Sequence, residues 1–179
     1  NSRRANHREP SNHFLGAIVL NPIRTSGLQV AAKSIIDGQQ RLTTLQIVLI
    51  ALRDYMRNNG QEDLLRDVEL HTVNQCRMEQ AVEKYKVWPT NADQGVFEKI
   101  FNAGSPEEVR QLFPPVRRRY KRYPEPPPRL VAAYYYYYDS IQSYVTQTDV
   151  VDVNGNQITP SDRLEALVEA FKRHLEIVT

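Results

Sequence analysis

The chain has 179 residues and a mass of 20.7 kDa, the size of one domain or of one compact domain with an appendage. Hydrophobic residues at 41% and charged residues at 25% support a packed core and exclude global disorder. The 23 Lys and Arg against 21 Asp and Glu leave +2, which excludes an obligate polyanion-binding tail protein, and the single Cys76 excludes an internal disulfide or an all-cysteine metal site.

No apolar run approaches the roughly 18 residues of a membrane span. The opening Asn1-Ser-Arg-Arg4 has neither a starting methionine nor a signal-peptide core. The expectation is an excised piece of a longer protein, cytoplasmic and without a membrane partner. The small net charge hides an alternation: residues 1–60 carry +5, 61–110 carry −4, 111–129 carry +5 and 130–179 carry −4. The two basic blocks are where phosphate ligands are sought, although a solvated face also accounts for such blocks.

After a polar arm from Asn1 to Asn12, the run Phe14-Leu-Gly-Ala-Ile-Val-Leu20 is apolar throughout. It reads as a strand buried on both faces or a short buried helical turn, closed by Asn21-Pro22. Val30 to Ile36 is a second strand candidate, ending at Asp37-Gly38 and suited to pair with the first. From Gln40 the period changes. Leu42, Leu45, Leu49, Leu52 and Met56 recur at helical steps, so a largely buried helix is expected to run to Asn58-Asn59-Gly60.

Beyond residue 60 the signals are mostly helical. Glu62 to about Tyr85 reads as one broken helix or two, and Trp88-Pro89 ends it. Thr90 is placed to cap a helix to about Asn102, and Ser105-Pro106-Glu107-Glu108 has capping-box spacing. Leu130 to about Thr146 is helical, with five consecutive tyrosines, Tyr134 to Tyr138, pointing all round it. Some of these must be buried with bonded hydroxyls. Val150 to Ile158, with Asn154-Gly155 inside it, suits a small hairpin. Thr159-Pro160-Ser161-Asp162 opens a last helix whose apolar face is Leu164, Leu167, Val168, Phe171 and Leu175.

The most informative stretch is Ile35-Ile-Asp-Gly-Gln-Gln-Arg-Leu-Thr-Thr44. It sets a carboxylate, a glycine, two amides, a guanidinium and two hydroxyls at a strand end and a helix N-terminus. Free N–H groups and the positive end of the helix dipole favour an anion there. Gly38 permits close backbone approach or positive φ. Arg41 can grip phosphate oxygens, and Asp37 can hold a divalent cation or orient a water. The same residues also suit an ordinary turn, with Asp37 as a cap and Thr43 and Thr44 as first-turn residues; the spacing matches neither a Walker A loop nor a dinucleotide fingerprint.

With Phe14 to Leu20 upstream, this stretch resembles the GmrSD-type restriction endonuclease N-terminal domain family, marked by a D-G-Q-Q-R motif and a ParB/sulfiredoxin-like fold. Val87-Trp-Pro-Thr-Asn-Ala-Asp93 with Phe97, and Pro128-Arg-Leu-Val131 leading into Tyr134, resemble the helical region of some members. The resemblance implies a nucleotide-binding and nucleotide-hydrolysing module of a bacterial anti-phage defence protein that regulates DNA cleavage. Its motif falls on Asp37, Gly38, Gln39, Gln40 and Arg41, which the family implicates in hydrolysis. The expected ligands are a nucleoside triphosphate and Mg2+. Within this reading, Arg41 and the helix amides take phosphate, Asp37 takes metal or water, Gln39 or Gln40 positions, and Gly38, Thr43 and Thr44 line the nucleotide site.

The family's upstream motif, built on a Gln-Arg pair and a Trp, has no counterpart before Phe14. A later motif with Asn, Arg and Gly is expected beyond Thr179, and the sequence contains no H-N-H nuclease motif. Cleavage is therefore expected from a nuclease domain or subunit outside this chain. Arg117-Arg-Arg-Tyr-Lys-Arg122, followed by Tyr123 and a proline run, interleaves cations with aromatics: Arg117, Arg118, Arg119, Lys121 and Arg122 to contact phosphates, Tyr120 to stack on bases. A solvated basic loop is the alternative. The four histidines, 7, 13, 71 and 174, lack metal-ligand spacing, although His13 lies near the start of the first strand.

The expected fold is α+β and helix-dominated: a small ParB-like sheet remnant over residues 1–60, then a helical subdomain over 61–179, each incomplete at its outer end. The rival to a nucleotide-hydrolysing module is a non-catalytic DNA-binding or protein-interaction module of the same system.

Overall fold

The computed structural model describes residues 12–25, 29–75, 78–116, 123–148, 151–152 and 154–178. The fold is α+β and dominated by helices. Its elements in chain order are β1 (His13–Ala17), β2 (Val19–Pro22), β3 (Lys33–Asp37), α1 (Gln39–Asn58), α2 (Glu62–Thr72), a 3-10 turn (Ala81–Lys84), α3 (Asn91–Asn102), α4 (Pro106–Leu112), α5 (Arg129–Val145), α6 (Pro160–Arg173) and β4 (Leu175–Val178).

Helix α1 is the axis of the core. Its apolar residues Ile47, Leu49, Ile50, Leu52 and Met56 are buried, and it packs against α5 on one side and α2 on another. Around it gather Phe97, Ile100 and Phe101 of α3, Val109 of α4, Val131, Tyr134 and Ile141 of α5, and Leu164 and Val168 of α6. Pro at N1 and side-chain caps start the two helices where the sequence signals them. Ser105 Oγ accepts from Glu108 N at 3.2 Å, and Thr159 with Asp162 forms a reciprocal capping box before α6. The segment after Thr72 leaves the helix for an extended pairing of Val73 with Tyr85, so the helical reading of 62–85 holds only as far as residue 72.

One buried polar network runs through this core. Asp54 is fully buried; its Oδ1 accepts from Arg53 Nε at 2.8 Å, and its Oδ2 accepts from the Tyr134 hydroxyl at 2.9 Å. Arg53, itself buried, also donates to the carbonyl of Phe101 at 2.9 Å and lies over the Phe101 ring. Tyr134 thus has the buried, bonded hydroxyl that the tyrosine run requires, while Tyr136 is 67% exposed.

The sheet is small and split. The extended segment 13–22 is interrupted at Ile18: β1 pairs in parallel with β4, and β2 pairs antiparallel with β3. The expectation that Phe14 to Leu20 is buried on both faces is corrected here: Ile18 is buried, but Phe14 is 58% and Val19 50% exposed. Two paired strands cannot cover both faces of one another. Leu175 is corrected as well. It belongs to β4, because α6 ends at Arg173 and the chain turns at His174 to pair with β1. Of the hairpin expected at 150–158, the described residues hold an antiparallel bridge between Val151 and Gln157 and a bond from Asp152 N to the Asn156 carbonyl, while residues 150 and 153 lie outside them.

Burial pushes the Asp54 carboxyl above its ordinary value, opposed by Arg53, the Tyr134 hydroxyl and Arg57. Its contribution to stability is therefore present below the ordinary carboxylate value and declines as pH rises through the window above it. Asp162 is the opposite case: bonds from Thr159 hold it low, so its contribution is lost as pH falls below that value. A carboxyl-carbon NMR titration is expected to place the Asp54 midpoint above the ordinary aspartate value and the Asp162 midpoint below it. Tyr134→Phe removes a hydrogen bond to a buried ionisable partner and is expected to lower the urea unfolding free energy by about 1.5–3 kcal/mol.

Candidate functional site

The strand β3 delivers Asp37 to the end of the sheet, and Gly38 turns the chain into α1. Gly38 is the residue before the first helical turn and has φ +90°, a conformation that residues with a Cβ rarely adopt. A Cβ there would also stand 2.9 Å from Cγ1 of Ile18, the buried residue between β1 and β2. The glycine is thus required twice, by the backbone turn and by the close approach of strand and helix.

Gly38 provides no side chain to cap the helix, and the first turn of α1 has no acidic residue to offset its leading N–H groups. Arg41, one turn in, folds back toward the strands. Its Nη1 donates to the Ala17 carbonyl oxygen and lies 3.9 Å from Asp37 Oδ2. Both side chains remain substantially exposed, 46% for Arg41 and 68% for Asp37, so water weakens their attraction and both stay accessible to a ligand.

The other motif residues divide by position. Gln39 Nε2 donates to the Ile35 carbonyl at 2.9 Å, which ties the helix start to β3. Gln40 and Thr44 are exposed, whereas Thr43 is 4% exposed and packs inward. Asp37, Gln40, Arg41 and Thr44 are therefore the exposed motif residues at the start of α1, with buried Gly38 forming the turn and Gln39 supporting it. Arg117, Arg118, Arg119, Tyr120, Lys121 and Arg122 lie outside the described residues, as does Cys76. The flanks of that basic stretch wall a cleft of about 1090 Å³ together with α4 and α5, lined by Phe113, Tyr135 and several prolines.

His13 begins β1, roughly 13 Å along the strand from Ala17 at the usual rise per residue. Its backbone N–H donates to the His174 carbonyl at 2.6 Å, where the incoming β4 joins. Among the described residues, no group of three or more His, Cys, Asp or Glu side chains is arranged to hold a metal ion. Sequence reasoning passed over Gly16 and the Ala17 carbonyl, which meet Arg41 directly. The available signal was a lone glycine inside an apolar strand, which often marks a bulge or a close approach.

In this helix-rich α+β fold the D-G-Q-Q-R residues form the turn between strand and helix. The family model for the GmrSD restriction endonuclease, N-terminal domain, matches residues 5–173, and the chain belongs to that family. It is accordingly a component of a restriction system. No curated protein and no solved structure matches the chain. No helix among the described residues is long and apolar enough to cross a membrane.

Gly38→Ala is expected to destabilise the protein by about 1–3 kcal/mol through backbone strain and crowding of Ile18. Urea unfolding monitored by circular dichroism measures this, and a loss below about 0.5 kcal/mol would contradict the double requirement placed on Gly38.

Proposed function

We propose that the open end of α1 is a nucleoside triphosphate site, and that the domain binds and hydrolyses a triphosphate to regulate DNA cleavage by the restriction system to which it belongs. The observation that supports this most directly is the exposed Arg41 guanidinium beside the exposed Asp37 carboxylate at the start of α1, a helix with no side-chain cap. Arg41 and the helix amides neutralise phosphate oxygens, where charge develops during phosphoryl transfer.

Asp37 is a single carboxylate, which suits Mg2+ that arrives on the nucleotide, since this ion is commonly held by one or two carboxylates plus substrate phosphates. The ion supplies charge neutralisation on the phosphates when bound. Asp37 also stands where it can accept a hydrogen bond from the attacking water. Gln40, exposed beside Arg41, is the amide available to position that water or the terminal phosphate, because Gln39 is engaged with Ile35. Thr44 can contribute a hydroxyl at the rim, while Thr43 serves packing. The nuclease that acts on DNA is a partner domain or subunit, and the basic stretch 117–122 supplies DNA contact.

Binding and hydrolysis of the four ribonucleoside triphosphates with Mg2+ test this reading on wild type, Asp37→Ala and Arg41→Ala. The expected result is binding weakened about tenfold or more by Arg41→Ala, the scale of a lost charge-assisted hydrogen bond. Asp37→Ala is expected to retain binding and lose hydrolysis. Absence of triphosphate binding, together with DNA binding that weakens steeply with salt, would overturn the proposal in favour of a DNA-holding module.

A further inference from the structure

Arg41 does not stand free at the rim. Its guanidinium lies over Gly16 of β1, where an added Cβ would come 3.2 Å from Nε and 3.3 Å from Cζ. On its other flank is Gly38, where an added Cβ would come 3.3 Å from Nη1. Both glycines have positive φ, +100° and +90°. The register of the β1–β4 pairing breaks between Phe14 and Ala17, around Gly16, and the Ala17 carbonyl at the end of that irregularity accepts from Arg41 Nη1.

We propose that Gly16 is a positioning residue for Arg41: with Gly38 and the Ala17 carbonyl it forms a seat that fixes the guanidinium before the ligand arrives. This deepens the triphosphate reading above and rests on it. A guanidinium has five N–H donors. The contact with Ala17 engages one nitrogen, and nearly half of the side chain remains open, so the seat orients the fork without closing it. An arginine fixed in advance loses less rotamer freedom on gripping a phosphate than one that must be ordered by the ligand. A methyl group at position 16 displaces the guanidinium by a few tenths of an ångström and disturbs its bond to Ala17. Small displacements of a charge-stabilising group have large consequences for phosphoryl transfer.

The test compares Gly16→Ala with Gly60→Ala. Gly60 also has positive φ, +68°, and nothing lies within 4 Å of its added Cβ, so it reports a methyl at a left-handed glycine without crowding Arg41. The larger strain at φ +100° in Gly16 is separated by repeating Gly16→Ala in the Arg41→Ala background. The first readout is the Arg41 guanidinium NMR signal in the ligand-free protein. Wild type and Gly60→Ala are expected to give separate, slowly averaging Nη resonances, and Gly16→Ala a shifted, averaged signal like that of free arginine. The second readout is Mg2+-triphosphate affinity. Gly16→Ala is expected to weaken it about tenfold, and less than twofold when Arg41→Ala is already present.

An Arg41 signal averaged like free arginine in the wild type overturns the seat even if Gly16→Ala fails to fold. So does equal weakening of binding by Gly16→Ala with and without Arg41. If wild type binds no triphosphate, the functional reading falls, while the Arg41 resonances still decide whether the seat exists.

Discussion

The bond from the Tyr134 hydroxyl to the buried Asp54 carboxyl, with Arg53 on the other oxygen, holds the helical body in one arrangement. Taking a carboxyl and a guanidinium out of water costs several kcal/mol each, so they are tolerated only where every partner is in place. Here the partners come from three helices. Arg53 and Asp54 are on α1, Tyr134 is on α5, and the Phe101 carbonyl that Arg53 also binds is at the end of α3. The polar network allows one register, because any other leaves a buried charge unsatisfied.

That constraint reaches the site through the length of α1. Its C-terminal half is fixed by the network and by Ile50, Leu52 and Met56 in the core. Its N-terminal end projects to the small sheet, where Gly38, Gln39 and Arg41 grip β3 and β1. The sheet contributes little core of its own: Phe14, Val19, Ile36 and Val178 all leave half or more of their surface in water. The strands are held by their pairings, β1 with β4 and β2 with β3, and by the contacts that Gly38, Gln39 and Arg41 make with Ile18, Ile35 and Ala17. The candidate site thus sits on the junction between the helical body and a lightly buried sheet, spanned by Gln39 to β3 and by the Arg41 guanidinium to β1.

The helices were legible in the sequence because their signals are local. The apolar steps from Leu42 to Met56, the Ser105 and Thr159 caps and the Trp88-Pro89 break each act within a turn or two. The strands were less so. A continuous apolar run such as Phe14 to Leu20 implies two covered faces only when enough sheet and helix exist to cover them. Strand β4 was hidden because Leu175 continues the apolar period of α6, and its partner β1 lies some 160 residues earlier in the chain. The motif Asp37 to Arg41 was readable as a strand–turn–helix anion site from residue types alone. The seat beneath Arg41 was not, since it depends on bringing Gly16 and Ala17 against a side chain 24 residues away. Likewise, Thr43 and Thr44 are equivalent in sequence, and only the packing of α1 turns one inward and leaves the other at the surface.

The central claim is that the open end of α1 receives the phosphates. Backbone amide NMR shifts on addition of Mg2+-triphosphate test it most directly, because the leading N–H groups of α1 are the proposed ligands. The largest shifts are expected on residues 38–42, with smaller ones at Gly16 and Ala17. Shifts confined to the cleft between α4 and α5, or absent from the start of α1 at saturating nucleotide, would contradict it.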